Sequence, residues 1–118
     1  MSEAKKYTGG CHCKSVRYEV TAEFKSVMSC NCSMCSKKGH LLAFVAPDQF
    51  VLLSGEDGLT DYQFHKHVIH HPFCKVCGVS SFMRGTSPRG PMVAINTRCI
   101  DDLDLASIPV QHVDGKSF

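Results

Sequence analysis

The sequence predicts an all-β domain, and three observations support this fold class. Short segments of strand length recur along the 118 residues, and several of them alternate apolar and polar side chains. Clusters of glycine, proline, aspartate and serine separate these segments, as the turns between short strands require. No stretch shows the periodicity of a long amphipathic helix. The pattern therefore favours a pair of packed sheets or a barrel-like fold with few or no helices.

The first half of the chain contains most of the predicted elements. Residues 1–6 are expected to be a flexible polar lead-in to a single domain over residues 7–118, and residues 9–13 predict a tight turn. A helical turn is predicted from Ser33 to Lys38, with Ser33 as its cap and Gly39 ending it. The predicted strands here are residues 16–20, 26–28, 41–45 and 50–54.

The second half predicts three further strands at residues 60–64, 79–83 and 92–96. Glycine-rich turns precede the first and the last of them. After Asp102 the sequence becomes polar, and residues 115–118 are expected to form a tail. The aromatic side chains that we expect to find in the core are Phe44, Phe50, Tyr62, Phe64, Phe73 and Phe82.

Composition excludes several functional classes. The formal net charge is only +2 and the basic residues are scattered, so the chain lacks the electrostatic signature of a nucleic-acid-binding protein. No stretch approaches the ~20 apolar residues of a membrane span, and the N-terminus has no apolar signal core. A reducing location, cytoplasmic or nuclear, is therefore expected. There, eight cysteines bind metal more often than they form disulfides, although a disulfide set is the alternative.

Two close cysteine pairs, far apart in the sequence, predict a structural zinc site. Cys11 and Cys13 form one pair, and Cys74 and Cys77 form the other. Gly78 follows the second pair, where the turn must open so that backbone amides face the sulfurs. Four thiolates make a closed tetrahedral site, which would contribute ~10 kcal/mol or more of coupled folding free energy. The alternative is four buried cysteines without a metal.

A third cluster places Cys30, Cys32 and Cys35 within six residues. Three protein ligands leave one coordination position of a zinc ion open to water or to a substrate sulfur. Two other interpretations stay open. His40 or another histidine completes a closed site, or Cys32 and Cys35 act as a redox pair.

The remaining cysteine and a group of histidines are assigned no metal role. Cys99 stands alone after a predicted strand, and lone cysteines are mostly small core residues. Four histidines lie within seven residues, and we expect them on an exposed strand surface: His65, His67, His70 and His71.

The order of these motifs resembles the glutathione-dependent formaldehyde-activating enzyme family, which also includes centromere protein V. The resemblance covers nearly the whole chain and includes seven cysteines in one register. Its matching stretches are residues 9–13, 16–18, 30–35 and 73–78, together with residues 55–57, Tyr62 and residues 96–102. Lys14 departs from the pattern, because the family often has glycine at that position.

The resemblance implies a β-tent fold, which consists of small stacked β-sheets held together by a structural zinc. It also implies two Zn²⁺ ions per chain and a carbon–sulfur lyase activity, which forms or cleaves an adduct between a glutathione-like thiol and a small aldehyde such as formaldehyde. The implied ligands are Cys11, Cys13, Cys74 and Cys77 for the structural zinc, and Cys30, Cys32 and Cys35 for the second, open zinc.

The resemblance assigns no catalytic residue beyond the ligands of the open zinc, and it leaves the residues that bind the thiol unknown. The cations considered as partners for the carboxylates of glutathione are Lys37, Lys38, Arg84 and Arg89. The alternative function is a non-catalytic zinc-binding module that acts through partner binding.

Overall fold

The protein is described here from a computed structural model, which covers residues 5–31, 35–62, 70–87 and 90–113. These residues form strands β1 to β10, one four-residue helix and several 3-10 turns. No helix among them is long and apolar enough to span a membrane. The bounds are β1 Lys5–Gly10, β2 Arg17–Ala22, β3 Val27–Cys30, α1 Cys35–Lys38, β4 Leu42–Val45, β5 Phe50–Ser54, β6 Leu59–Tyr62, β7 His71–Cys74, β8 Phe82–Ser87, β9 Gly90–Asn96 and β10 Val110–Val113.

The strands form three small sheets. The first sheet is antiparallel with the order β1-β2-β5, and the third pairs β6 with β7. The second sheet has the order β10-β3-β4-β9-β8, and in it β10 runs parallel to β3 while the other pairs are antiparallel. Two isolated bridges join Gly9 to Ile100 and His70 to Arg84. The predicted all-β fold of small sheets is confirmed.

The main core contains residues from all three sheets. Tyr18 of β2, Phe50 of β5 and Phe82 of β8 form a row of rings, with centroids 5.4 Å and 4.8 Å apart. Ile95 of β9 and Cys74 of β7 are fully buried in the same cluster. Aromatic burial of this kind supplies a large share of a small domain's stability. Because Cys74 is one of these core residues, the four-cysteine cluster adjoins the core.

Two of the aromatic core predictions are wrong. Phe44 and Tyr62 are 46% and 48% exposed. Successive side chains of a strand point to opposite faces, so Phe44 lies on the face of β4 that carries Leu42 and the small second core cluster, opposite Val45 and the main core. Tyr62 is the last residue of β6, in the two-stranded third sheet. Phe73 is half-buried, and Phe64 lies outside the described residues.

The observed elements differ from the predicted ones at the ends of the chain and at β8, which begins only at Phe82 and runs to Ser87. β1 begins at Lys5 and runs through Gly10, so the predicted turn starts only at Cys11. The helical turn is confirmed by α1, and Gly39 follows it with a left-handed φ of 67°. The cap predicted at Ser33 and the tail predicted for residues 115–118 lie outside the described residues. Within the polar C-terminal stretch the chain forms β10.

Candidate metal centre

The first cysteine pair lies in the tight connection between β1 and β2. The Cys11 N–H donates to the carbonyl of Val16 at 3.1 Å, and the Lys14 N–H donates to the carbonyl of Cys11 at 3.2 Å. A Cβ at Gly10 would meet the Val16 carbonyl oxygen at 1.9 Å, so only glycine allows this approach. The connection turns through Lys14, whose φ of 69° is left-handed. This geometry directs Cys11 and Cys13 to the same side.

The second pair lies in a knuckle turn after β7. The Cys74 N–H donates to the Val79 carbonyl at 3.0 Å, and the Gly78 N–H donates to the Cys74 carbonyl at 2.8 Å. Gly78 has a φ of 80°, which confirms that the turn needs glycine there. The N–H groups of Val76 and Cys77 point at the Cys74 sulfur at 3.4 Å and 3.5 Å. The turn thus presents two amide donors to one thiolate.

The sulfurs of the two pairs meet in one cluster. The Sγ atoms of Cys11, Cys13, Cys74 and Cys77 all lie within 4.8 Å of one another. Cys13 Sγ is 3.6 Å from both Cys11 Sγ and Cys74 Sγ, far beyond the ~2.05 Å of a disulfide. Sulfurs of a tetrahedral zinc site with ~2.3 Å bonds are about 3.8 Å apart. The four cysteines can therefore hold a metal ion such as zinc.

Hydrogen bonds favour the thiolate form of Cys74 and Cys11. The Ser15 hydroxyl and then the amides of Cys77 and Val76 lower the pKa of Cys74 to about 5. Burial alone would raise the pKa of Cys11, but bonds from Val16 and Ser15 leave that pKa lowered. The Ser15 hydroxyl also acts to lower the pKa of Cys13, but the neighbouring sulfurs of Cys74 and Cys11 leave that pKa raised. A thiolate is the form of cysteine that binds metal. Cys11 and Cys74 are buried, whereas Cys13 is exposed and Cys77 is half-buried.

The third cysteine cluster is described only in part. Cys30 ends β3, is half-buried, and packs against Leu42, Met83 and Ala94. Cys35 begins α1, which packs against β3, so the two backbone segments lie side by side. Cys32 and the side chain of Cys35 lie outside the described part of the structure. The three-ligand site predicted from the sequence stays a prediction.

Two histidines of the described residues are buried, and the charge of Lys38 acts on both of them. His40 is 4% exposed, and burial, followed by the charge of Lys38, lowers its pKa to about 4. His71 is 5% exposed, and its Nδ1 lies 3.0 Å from Met83 Sδ. Burial and Lys38 lower the pKa of His71 as well. Both rings are therefore neutral at pH 7.

The prediction of an exposed histidine surface is only partly right. His70 is exposed, and its Nδ1 pairs with Asp61 Oδ2 at 2.6 Å. The prediction is wrong for His71. It is the first residue of β7, and its ring points to the opposite side from His70, inward against Met83 of β8. His65 and His67 lie outside the described residues.

Two of the four candidate cations are anchored on aromatic rings. Lys38 Nζ lies 5.6 Å from the centre of the Phe73 ring and donates to Ser80 Oγ. The Arg84 guanidinium lies about equally far from the rings of Phe50 and Phe82, at 5.3 Å and 5.2 Å. Lys37 is exposed on α1, and Arg89 lies outside the described residues.

Sequence reasoning missed Ser15, which contacts the four-cysteine cluster. Its Oγ lies within hydrogen-bonding range of sulfur from both pairs. No motif marks a serine between a cysteine pair and a strand, so only its closeness to Cys13 could have drawn attention to it. Cys99, predicted as a small core residue, is half-buried and lies outside both core clusters, and burial raises the pKa of its thiol.

Comparison with known proteins relates the chain to a protein family and to a solved structure. A family model described as glutathione-dependent formaldehyde-activating enzyme matches residues 6–113. The crystal structure of a Rhodobacter sphaeroides protein is similar to the chain, with a TM-score of 0.76 and 25% sequence identity. That similarity covers 88% of this chain and 99% of the other. The family match extends from β1 to the end of β10.

Proposed function

Because the chain belongs to the glutathione-dependent formaldehyde-activating enzyme family, we propose that it forms or cleaves an adduct between a glutathione-like thiol and a small aldehyde such as formaldehyde. The family match over residues 6–113 is the observation that carries this proposal. The reaction is of the carbon–sulfur lyase type, and it would use two zinc ions per chain. Its small-molecule partners are the thiol and the aldehyde.

The two cysteine clusters would have different roles, one structural and one in the reaction. The sulfurs of the four-cysteine cluster are close enough to fill all four positions of a tetrahedral ion. Such an ion has no position left for substrate, so its role is structural. The reaction then needs another centre, for which Cys30, Cys32 and Cys35 are the proposed ligands. Three protein ligands would leave the fourth position to the substrate thiol.

The chemistry at the second centre begins with the thiol. A zinc ion bound there would favour the thiolate form of a thiol that titrates near ~8.5 when free. The thiolate sulfur attacks the aldehyde carbon, a carbon–sulfur bond forms, and the carbonyl oxygen takes up a proton to give a hemithioacetal. The reverse reaction breaks the same bond and returns the thiol and the aldehyde.

Side chains that follow the second cluster in the sequence, and His71, suit a substrate with carboxylates. Lys38 ends α1 three residues after Cys35, and its ammonium group is held against Ser80 and Phe73. This cation can attract a carboxylate of glutathione toward the cluster. His40 and His71 are neutral at pH 7, so they add no competing charge while offering ring nitrogens for hydrogen bonds.

A second candidate function is a non-catalytic zinc-binding module, which acts through partner binding. The observation that favours it is His40, a buried imidazole five residues after Cys35. Imidazole is a common fourth ligand of structural zinc, and a closed site would leave no position for a thiol.

The decisive experiment compares Cys32→Ser with Cys99→Ala, a matched control at a cysteine outside both clusters. Exchange NMR would measure the rate of adduct formation between glutathione and formaldehyde. We expect Cys32→Ser to lose at least ~100-fold of the rate enhancement, because the metal contributes several kcal/mol to such steps. Cys99→Ala should keep the rate of the natural protein.

Two results would contradict the lyase proposal. One is a folded Cys32→Ser variant with undiminished activity, where far-UV circular dichroism verifies the fold. The other is a natural protein that binds two zinc ions and gives no rate enhancement, which would establish the zinc-binding module.

A further inference from the structure

We propose that Ser15 strengthens metal binding at the four-cysteine centre by donating its one hydroxyl hydrogen to Cys13 or Cys74, whose sulfurs are the two nearest to its Oγ. Its Oγ lies 3.1 Å from Cys13 Sγ, 3.4 Å from Cys74 Sγ and 3.8 Å from Cys11 Sγ. One hydroxyl therefore contacts sulfurs from both halves of the centre. The proposal goes beyond the lyase function and holds whether or not the protein is an enzyme.

The charge of a loaded centre explains why a donor matters there. Four thiolates and one Zn²⁺ carry a formal net charge of about −2. Hydrogen bonds to the sulfurs spread this charge and reduce the competition of protons and electrophiles with the metal. Backbone amides supply part of this stabilisation, from Val16 to Cys11 and from Val76 and Cys77 to Cys74. Ser15 adds a side-chain donor, which substitution can remove.

The backbone fixes the position of Ser15 from two directions. On one side Lys14, in its left-handed conformation, turns the chain immediately before Ser15. On the other side the Ser15 carbonyl accepts the Ser54 hydroxyl at 3.2 Å. A Cβ at Gly55 would meet the same carbonyl oxygen at 2.3 Å, so the end of β5 packs closely on this loop. The contact between hydroxyl and sulfur is therefore a consequence of the fold.

The cysteine closest to Ser15 is also the most exposed of the four. Cys13 is exposed, whereas Cys11 and Cys74 are buried and Cys77 is half-buried. Chelators and alkylating reagents therefore meet the centre at Cys13 first. A donor at 3.1 Å from that sulfur lowers its nucleophilicity where attack begins.

The test uses the zinc-loaded full chain and reads out this centre alone. The protein is equilibrated with increasing chelator, pulsed with iodoacetamide, and mapped by peptide mass spectrometry at the four cysteines. The chelator concentration that half-exposes them reports the relative zinc affinity. We expect Ser15→Ala to weaken that affinity ~10-fold, as loss of an outer hydrogen bond does at other metal centres.

Matched variants separate the hydroxyl from the shape of the side chain. Ser15→Thr keeps the hydroxyl and should retain zinc like the natural protein, whereas the similarly shaped Ser15→Val should resemble Ser15→Ala. This pair decides the question even where Ser15→Ala fails to fold. Ser54→Ala removes the bond to the Ser15 carbonyl and leaves the sulfur contact, so it should retain zinc.

Three results would overturn the proposal. Ser15→Ala could release zinc at the same chelator concentration as the natural protein. Ser15→Thr and Ser15→Val could behave alike, which would exclude the hydroxyl. Ser54→Ala could weaken zinc binding as much as Ser15→Ala, and the loop position alone would then explain the effect.

Discussion

At the scale of single residues, Lys14 shows what the four-cysteine centre demands of the backbone. It lies between Cys13 and Ser15, and its φ of 69° is costly for a residue with a Cβ. The turn brings the Lys14 N–H to the Cys11 carbonyl and sets the direction of the cysteine pair. The strain is therefore offset by the interactions that the turn makes possible, including those of a bound metal.

We expect Lys14→Gly to raise the free energy of unfolding by up to ~1 kcal/mol. Glycine adopts this φ without strain, although its greater freedom in the unfolded chain cancels part of the gain. Lys14→Ala is the matched control, because alanine also lacks the charge but keeps the Cβ. Urea unfolding of the zinc-loaded proteins would measure both. Equal stability of the two variants would show that backbone conformation is not the cause.

At the scale of elements, β1 is positioned by close packing against its neighbours rather than by large side chains. Gly9 bridges to Ile100 on one side and pairs with Tyr18 of β2 on the other. Arg17 and Asp101 reinforce this junction with a 2.5 Å ion pair, which lowers the pKa of the Asp101 carboxyl. Since Cys11 directly follows β1, this packing determines where the first cysteine pair lies.

Gly9→Ala should therefore destabilise the protein by ~1–3 kcal/mol, the usual range for overpacking a core. A Cβ at Gly9 would meet the Cys99 carbonyl oxygen at 2.5 Å and the Tyr18 hydroxyl at 2.7 Å. Gly58→Ala is the control, because no atom lies within 4 Å of a Cβ there. Thermal unfolding would compare the two. Equal stability of Gly9→Ala and Gly58→Ala would contradict close packing around Gly9.

The sequence predicted the elements whose signal is local. Alternation identified β2, and apolar runs identified β4 and β5, because those patterns reflect burial of the strands themselves. β10 could not be predicted, since its side chains are mostly exposed and it exists by parallel pairing with the distant β3. β1 was missed for a similar reason: it is polar at its start and ends in two glycines.

At the scale of the whole molecule, the fold brings together cysteines that are 61 positions apart. Cys11 follows the last residue of the first sheet's β1, and Cys74 ends β7 of the third sheet. A two-stranded sheet is marginally stable by itself, so a metal shared between these sheets would stabilise both.

The sequence predicted which cysteines would meet, because close pairs bind metal together. The contacts of Ser15 and the burial of His71 could not be predicted from the sequence, since both depend on residues that are distant in the chain.

We propose that the chain carries one closed and one open zinc centre. Native mass spectrometry of the reduced, zinc-loaded protein, with and without glutathione, tests this most directly. We predict two zinc ions per chain, the addition of one glutathione, and the loss of that glutathione and of one zinc ion in Cys32→Ser. Two zinc ions that never bind the thiol, or a single zinc ion in the natural protein, would contradict the claim.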